Sequence, residues 1–202
     1  MCIRDSLKVI VHVGPKGFQK VGHICFAYDD IVYSYGNYDS DSFHLNQTIG
    51  DGIFFTVPLE KYIPNMISAE NNSIFEYGVY TTSKQNALIE KEIEKIRQNG
   101  YRWYTKIEKE DGYDRFSEYE MDYPSRLHYR TGAKLYKVKS GKFHIYWALG
   151  DNCASFTDLV LGTLGADVLS IRGIISPGTY LDWLQKEYLK KNSPVVFRCI
   201  YK

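Results

Sequence analysis

Cys153 and His23 are the two side chains of this sequence whose types and settings could carry out covalent chemistry together. Cys153 stands in Gly150-Asp151-Asn152-Cys153-Ala154-Ser155-Phe156-Thr157-Asp158-Leu159-Val160, where a polar loop turns into an apolar-faced segment. Phe156, Leu159, Val160, Thr163 and Leu164 recur at helical spacing and Gly165 follows, a pattern that predicts a buried amphipathic helix with a glycine stop. Cys153 then occupies the first helical turn. There, unsatisfied backbone N–H groups and the positive end of the helix dipole favour a thiolate, the nucleophilic form of cysteine. His23 supplies a base: it lies in Val21-Gly22-His23-Ile24-Cys25-Phe26-Ala27, an alternating strand pattern with a glycine before the histidine. Such a pair attacks carbonyl carbons. The competing reading is a small buried hydrophobe at Cys153 and a hydrogen-bonded strand histidine at His23.

A base needs something to orient it, and the hairpin pattern offers candidates. Val21 to Tyr28 and Ile31 to Tyr35 alternate on either side of Asp29-Asp30, which reads as a two-residue turn. With that turn, Tyr28 faces Ile31, and His23 falls opposite Gly36 and diagonal to Ser34, within side-chain reach. Ser34 is thus the expected orienter. Tyr35, Asn37 and Asp39 are its rivals, because a one-residue slip turns every side chain to the other face. His12 is assigned to structure, His44 to an exposed loop, and His144 is the runner-up base, although it would have to fold back from the strand before Cys153. Glu118, Glu120 and Asp122 could suggest glycosidase chemistry, but nothing fixes their separation, and carboxylates this dense in a polar stretch are mostly solvated.

The remaining elements follow from pattern. Leu7 to Val13 reads as a strand ending at the Gly14-Pro15-Lys16-Gly17 turn, Gly52 to Val57 and Ser73 to Tyr80 as strands, and Pro58 to Met66 as a short helix. Asn37 to Asp51 is a polar loop. Ser83 is expected to cap a helix to Gln98, with Ala87, Ile89, Ile93 and Ile96 inward and Asn99-Gly100 as the stop. Tyr101 to Arg130, crowded with Tyr, Glu, Asp and Arg, reads as a lid or insertion. Leu135 to Val138 and Phe143 to Trp147 read as a hairpin about Ser140-Gly141. Ser176-Pro177 opens a last helix burying Tyr180, Leu181, Leu184 and Tyr188, and Pro194 to Tyr201 closes as a strand carrying Cys199. Strands at both ends interrupted by helices define an α+β pattern.

The whole chain sets limits. Its 202 residues, 44% of them hydrophobic, suffice for one compact domain over residues 7–202, with about 101–130 as the possible lid. A formal net charge of +1 argues against a nucleic-acid partner. The 18 tyrosines suit a groove lined by rings with polar tips. Cys2, Cys25, Cys153 and Cys199 show neither CxxC pairing nor metal-ligand spacing with histidine, so neither a metal nor another cofactor is expected. No apolar run approaches the ~18 residues of a spanning helix. Residues 1–6 resemble a translated sequencing adapter, so the natural start, with any targeting signal, is expected to be missing.

Gly22-His23 on the first hairpin arm, Tyr33-Ser34-Tyr35-Gly36 on the second, and Asn152-Cys153-x-x-Phe156 opening a helix far downstream together resemble the circularly permuted NlpC-type, papain-like cysteine hydrolases. That group includes lecithin:retinol acyltransferase-like proteins. Histidine precedes cysteine here, the reverse of the papain-like order, as permutation implies. The pattern Gly-His, Tyr-Ser-Tyr-Gly, Gly-Asp-Gly is also similar to domains at the C-terminal ends of bacterial polymorphic toxins, which would be secreted or delivered. The resemblance implies a cysteine-bearing helix packed on an antiparallel sheet or half-barrel. It also implies attack on an amide or ester carbonyl and a third polar residue steering the histidine. Relatives usually have His, Asn or Gln at that third position, where this chain has Ser34. The implied substrates are peptides, peptidoglycan or lipids, with hydrolysis, or acyl transfer on the same fold, as the reaction; a non-catalytic binding module is the reading from another class.

Overall fold

The computed structural model describes residues 6–13, 22–68, 73–110, 117–165 and 176–202. In chain order its strands are β1 (Ser6–Val13), β2 (His23–Tyr28), β3 (Ile31–Gly36), β4 (Ile49–Asp51), β5 (Ile53–Pro58), β6 (Ser73–Tyr80), β7 (Gly100–Trp103), β8 (Lys134–Val138), β9 (Ile145–Trp147) and β10 (Val195–Tyr201). Its helices are α1 (Leu59–Ser68), α2 (Ser83–Gln98), α3 (Lys106–Lys109), α4 (Tyr123–Thr131), α5 (Cys153–Leu161) and α6 (Pro177–Tyr188). Eight strands form one antiparallel sheet in the order β10-β6-β1-β2-β3-β5-β8-β7, while β4 and β9 pair as a separate ribbon. The molecule is α+β.

Both faces of the sheet are covered. Strand alternation sends Val9, Val11, Ile24, Phe26, Tyr33 and Tyr35 to one side, where they pack with residues of α2, α5 and α6. Ile10, Cys25, Ala27, Val32 and Phe55 go to the other, under Leu59, Tyr62, Ile63 and Met66 of α1. Helix α5 is more enclosed than its apolar stripe predicts: Ala154, Thr157, Asp158 and Leu161 are buried with Phe156 and Val160. The buried Asp158 accepts a hydrogen bond from the Tyr180 hydroxyl of α6.

The hairpin forms as its pattern predicts. Asp29 and Asp30 both take left-handed backbone angles, φ +50° and +56°, the geometry whose twist suits a two-residue connection. Lys8 Nζ holds Asp30 Oδ1 at 2.9 Å, and Tyr28 pairs with Ile31 and Phe26 with Tyr33.

Other expectations are corrected. The cap of α2 is Thr82 and not Ser83, in a reciprocal box with Gln85; a threonine three residues before a glutamine matches that box better than the serine after it. Residues 134–147 are not a hairpin, because β8 lies between β5 and β7 whereas β9 pairs with β4. The chain is turned away at Gly141 and Phe143, φ +73° and +69°, and the Phe143 ring is buried against Tyr35 and Phe156. Gly52 permits this crossing, since a Cβ there would stand 1.8 Å from the Phe143 carbonyl oxygen. Within residues 101–130, β7 is an edge strand of the main sheet and α4 packs on α1. The Gly14–Gly17 turn and the approach to Ser176 lie outside the described residues; α6 itself begins with Ser176 as cap and Pro177 inside.

Candidate functional site

Helix α5 starts where the sequence places it. Asn152 is its cap: Oδ1 accepts from the N–H of Ala154 at 2.9 Å and of Ser155 at 3.0 Å, and Nδ2 donates to Ala148 O at 2.9 Å. Cys153 is the first helical residue and is 6% exposed.

The histidine half lies on the face covered by α1. Alternation puts His23, Cys25 and Ser34 on that face, together with His12 of β1, which is paired with His23. His23 Nε2 lies 2.6 Å from Ser34 Oγ, and Ser34 Oγ lies 3.1 Å from the Tyr38 hydroxyl. Gly22 leads into this strand at φ +76°, and a Cβ there would come 2.6 Å from the His12 carbonyl oxygen. The structure thus brings Ser34 to His23. The rivals are engaged elsewhere: Tyr35 OH donates to Phe143 O at 3.0 Å, Asn37 Nδ2 to Gln47 O at 2.6 Å, and Asp39 pairs with Lys137 at 2.7 Å.

Helix α5 reaches β2 where β2 and β3 part. Their ladder runs from Tyr28↔Ile31 to Phe26↔Tyr33 and stops, while β3 stays paired with β5 as far as Gly36. Beyond that point the backbone N–H of Ile24, next to His23, turns to the Cys153 sulfur, joined by those of Ala154 and Cys153. Among the described residues no hydrogen bond joins Cys153 to His23, whose Nε2 is taken by Ser34.

Electrostatics correct one expectation. Burial pushes the Cys153 thiol up from its ordinary 9.0 to about 11, outweighing the three backbone N–H groups that favour the thiolate. Burial also draws His23 down from 6.5 to about 4. The resting pair is a neutral thiol and a neutral imidazole, because a helix start helps a thiolate only as far as desolvation allows. Burial raises the pKa values of Tyr35, Tyr38 and Tyr146, and a Cys153 thiolate would raise them further.

His12, assigned to structure, lies buried beside His23. It is 2% exposed, its ring stands edge-on to His23 with centroids 5.6 Å apart, and Nε2 lies 3.1 Å from the Tyr62 hydroxyl and 3.9 Å from Cys25 Sγ. Among the described residues its Nδ1 has no partner. Pairing β1 with β2 across the Gly-Pro turn would have set His12 against His23, whereas Tyr62 arrives from α1 and leaves no local signal. The other histidines are remote in role: His44 is exposed, His128 Nδ1 and His144 Nδ1 lie 2.8 Å from the carbonyls of Ala133 and Val138. Glu118 pairs with Arg130, Glu120 accepts from Ser117 at 2.9 Å, and Asp122 caps α4, so these carboxylates have structural partners. Among the described residues no three His, Cys, Asp or Glu side chains cluster as metal ligands, and no helix is long and apolar enough to cross a membrane.

Comparison with known proteins returns no matching family model, no matching curated protein and no matching solved structure.

Proposed function

We propose that this chain is a thiol hydrolase of the permuted papain-like kind, with Cys153 the nucleophile, His23 the base and Ser34 the residue that positions the imidazole. The observation that carries this reading is the junction at the parting of β2 and β3: Ile24 turns its N–H to the Cys153 sulfur while the adjoining His23 is held through Nε2 by Ser34. In the reaction the sulfur bonds to the carbonyl carbon of an amide or ester as the thiol proton passes to His23 Nδ1. The leaving amine or alcohol takes that proton as its bond to carbon breaks. Water, deprotonated by His23, then attacks the thioester carbonyl, and as the carbon–sulfur bond breaks the sulfur takes the proton back from His23 and the acid is released. Because the resting pair is neutral, proton transfer accompanies attack. The N–H groups around the sulfur are suited to an oxyanion formed beside it. Peptide, peptidoglycan and lipid carbonyls all fit this chemistry, as does transfer of the acyl group to an acceptor other than water.

A non-catalytic binding module with the same frame is the second reading, favoured by the high thiol pKa and the missing Cys153–His23 hydrogen bond. Incubation with p-nitrophenyl acetate followed by intact and peptide mass spectrometry separates the two. The hydrolase reading predicts an acetyl adduct on Cys153 that forms much more slowly in His23→Ala; an adduct elsewhere, or none, rejects it.

A further inference from the structure

The face of the sheet covered by α1 is only partly filled. Beside α1, over β1, β6 and β10, lies a groove of about 940 Å³, a volume in the range of small-molecule sites. Leu59 and Ile63 of α1 form one wall and Phe197 of β10 the other. The floor is open at Gly78, where a Cβ would stand 3.1 Å from that of Phe197.

The polar groups of the groove are unbalanced. Glu76 is 4% exposed and its Oε2 accepts from the Tyr201 hydroxyl at 3.0 Å, yet among the described residues no Lys, Arg or His pairs with it. Among the described residues Lys8 is the one cation of the lining, and it is engaged by Asp30 at 2.9 Å. With Glu60, the lining carries three carboxylates against that single ammonium. A carboxylate withdrawn from water calls for a counter-charge, and the rings of Phe197 and Tyr201 offer faces on which a cation can rest. The groove shares no residue with the His23–Cys153 junction, and α5 packs on the opposite face.

We propose that this groove binds a small hydrophobic ammonium ligand, its hydrocarbon body between Leu59, Ile63 and Phe197 and its cationic head at Glu76. Titration calorimetry of the full chain with octylammonium and with octanoate tests this. Octylammonium should bind saturably and at least about tenfold more tightly than octanoate, a charge-assisted contact being the difference. Glu76→Gln should remove that preference while thermal melting shows the fold retained. Phe197→Ala, at a ring already 45% exposed, should weaken octylammonium severalfold, and serves as the second variant if Glu76→Gln fails to fold. Cys153→Ala should leave binding unchanged. Equal affinity for the two probes, absence of saturable binding, undiminished octylammonium binding in Glu76→Gln or Phe197→Ala, or its loss in Cys153→Ala would each overturn the proposal.

Discussion

The imidazole of His23 is held by side chains and the thiol of Cys153 by backbone. Ser34 and His12 adjoin the ring, backed in turn by Tyr38 and Tyr62, whereas the sulfur is faced by three backbone N–H groups at a helix end fixed by one cap, Asn152. A side-chain cluster can be rebuilt, or broken, one substitution at a time. A backbone setting changes only when the helix end moves. The histidine half should therefore respond to point changes in its shell and to acid, and the cysteine half to loss of the cap and to alkali.

The largest effect expected is on turnover. His23→Ala should lower ester hydrolysis by about 10²–10⁴-fold, the usual contribution of a positioned base, and Cys153→Ala should abolish acyl-enzyme formation, both with unchanged far-UV circular dichroism. If His12→Asn proved as damaging as His23→Ala, the side-chain half would have two working members and the comparison would have to be redrawn.

Asn152→Ala tests the backbone half. It removes an acceptor serving two N–H groups and a donor to Ala148 O, so urea unfolding should show a loss of about 1–2 kcal/mol. Asn152→Asp, which keeps the acceptor, should recover most of it. A loss in Asn152→Ala no larger than in Ser34→Ala would break the distinction between the halves.

The two halves should also fail at opposite ends of the pH scale. His23 titrates at 6.5 when unfolded and at about 4 when folded, and His12 is likewise lowered, by burial and then by the charge of His23. The unfolded chain binds these protons first, so the His23 share of stability is present above about 6.5 and is lost as pH falls through about 4, with His12 acting in the same direction. Cys153 is shifted the other way, from 9.0 to about 11, so its share is present below 9.0 and is lost as pH rises through about 11. Chemical unfolding across pH should show His12→Asn shallowing the acid limb only and Cys153→Ala the alkaline limb only.

The smallest effect belongs to Ser34. Its single neutral hydrogen bond to His23 is worth about 0.5–1.5 kcal/mol, so Ser34→Ala should slow turnover roughly three- to tenfold. Ser34→Asn should not improve on wild type, because Ser34 is fully buried with the Tyr38 hydroxyl 3.1 Å away and the larger amide would be overpacked.

What the sequence reveals here is what adjacent residues decide. The Asp29-Asp30 turn sets the pairing of Tyr28 with Ile31 and Phe26 with Tyr33, and Ser34 reaches His23 beyond the point where that ladder ends. The Asn-Cys helix start is equally local. What stays hidden depends on partners far away in the chain. Tyr62 reaches His12 from α1, β9 leaves β8 for β4 because Phe143 is drawn into the core, and β7 finds the edge of the sheet only because β8 is already there. The thiol pKa stays hidden for the same reason: the helix dipole is visible in a local pattern, but the depth of burial that outweighs it is a property of the whole fold. Helix α4 was an oversight of a different kind, since Asp122, Pro124 and Gly132 supply its cap, its early proline and its left-handed stop in plain sequence.

Time enters through the Asp29–Asp30 turn. A hairpin closed by two residues forms in about 1–10 μs, whereas α5 can dock only after the strands it packs against are paired, across more than a hundred intervening residues counted from Ser34 to Cys153. During synthesis at about 5–20 residues per second, that interval lasts on the order of ten seconds. Throughout it the imidazole and its serine can already be in contact while the thiol does not yet exist in the chain. On the proposed function, the pair is therefore assembled last, and a nascent or truncated chain should carry His23 without Cys153.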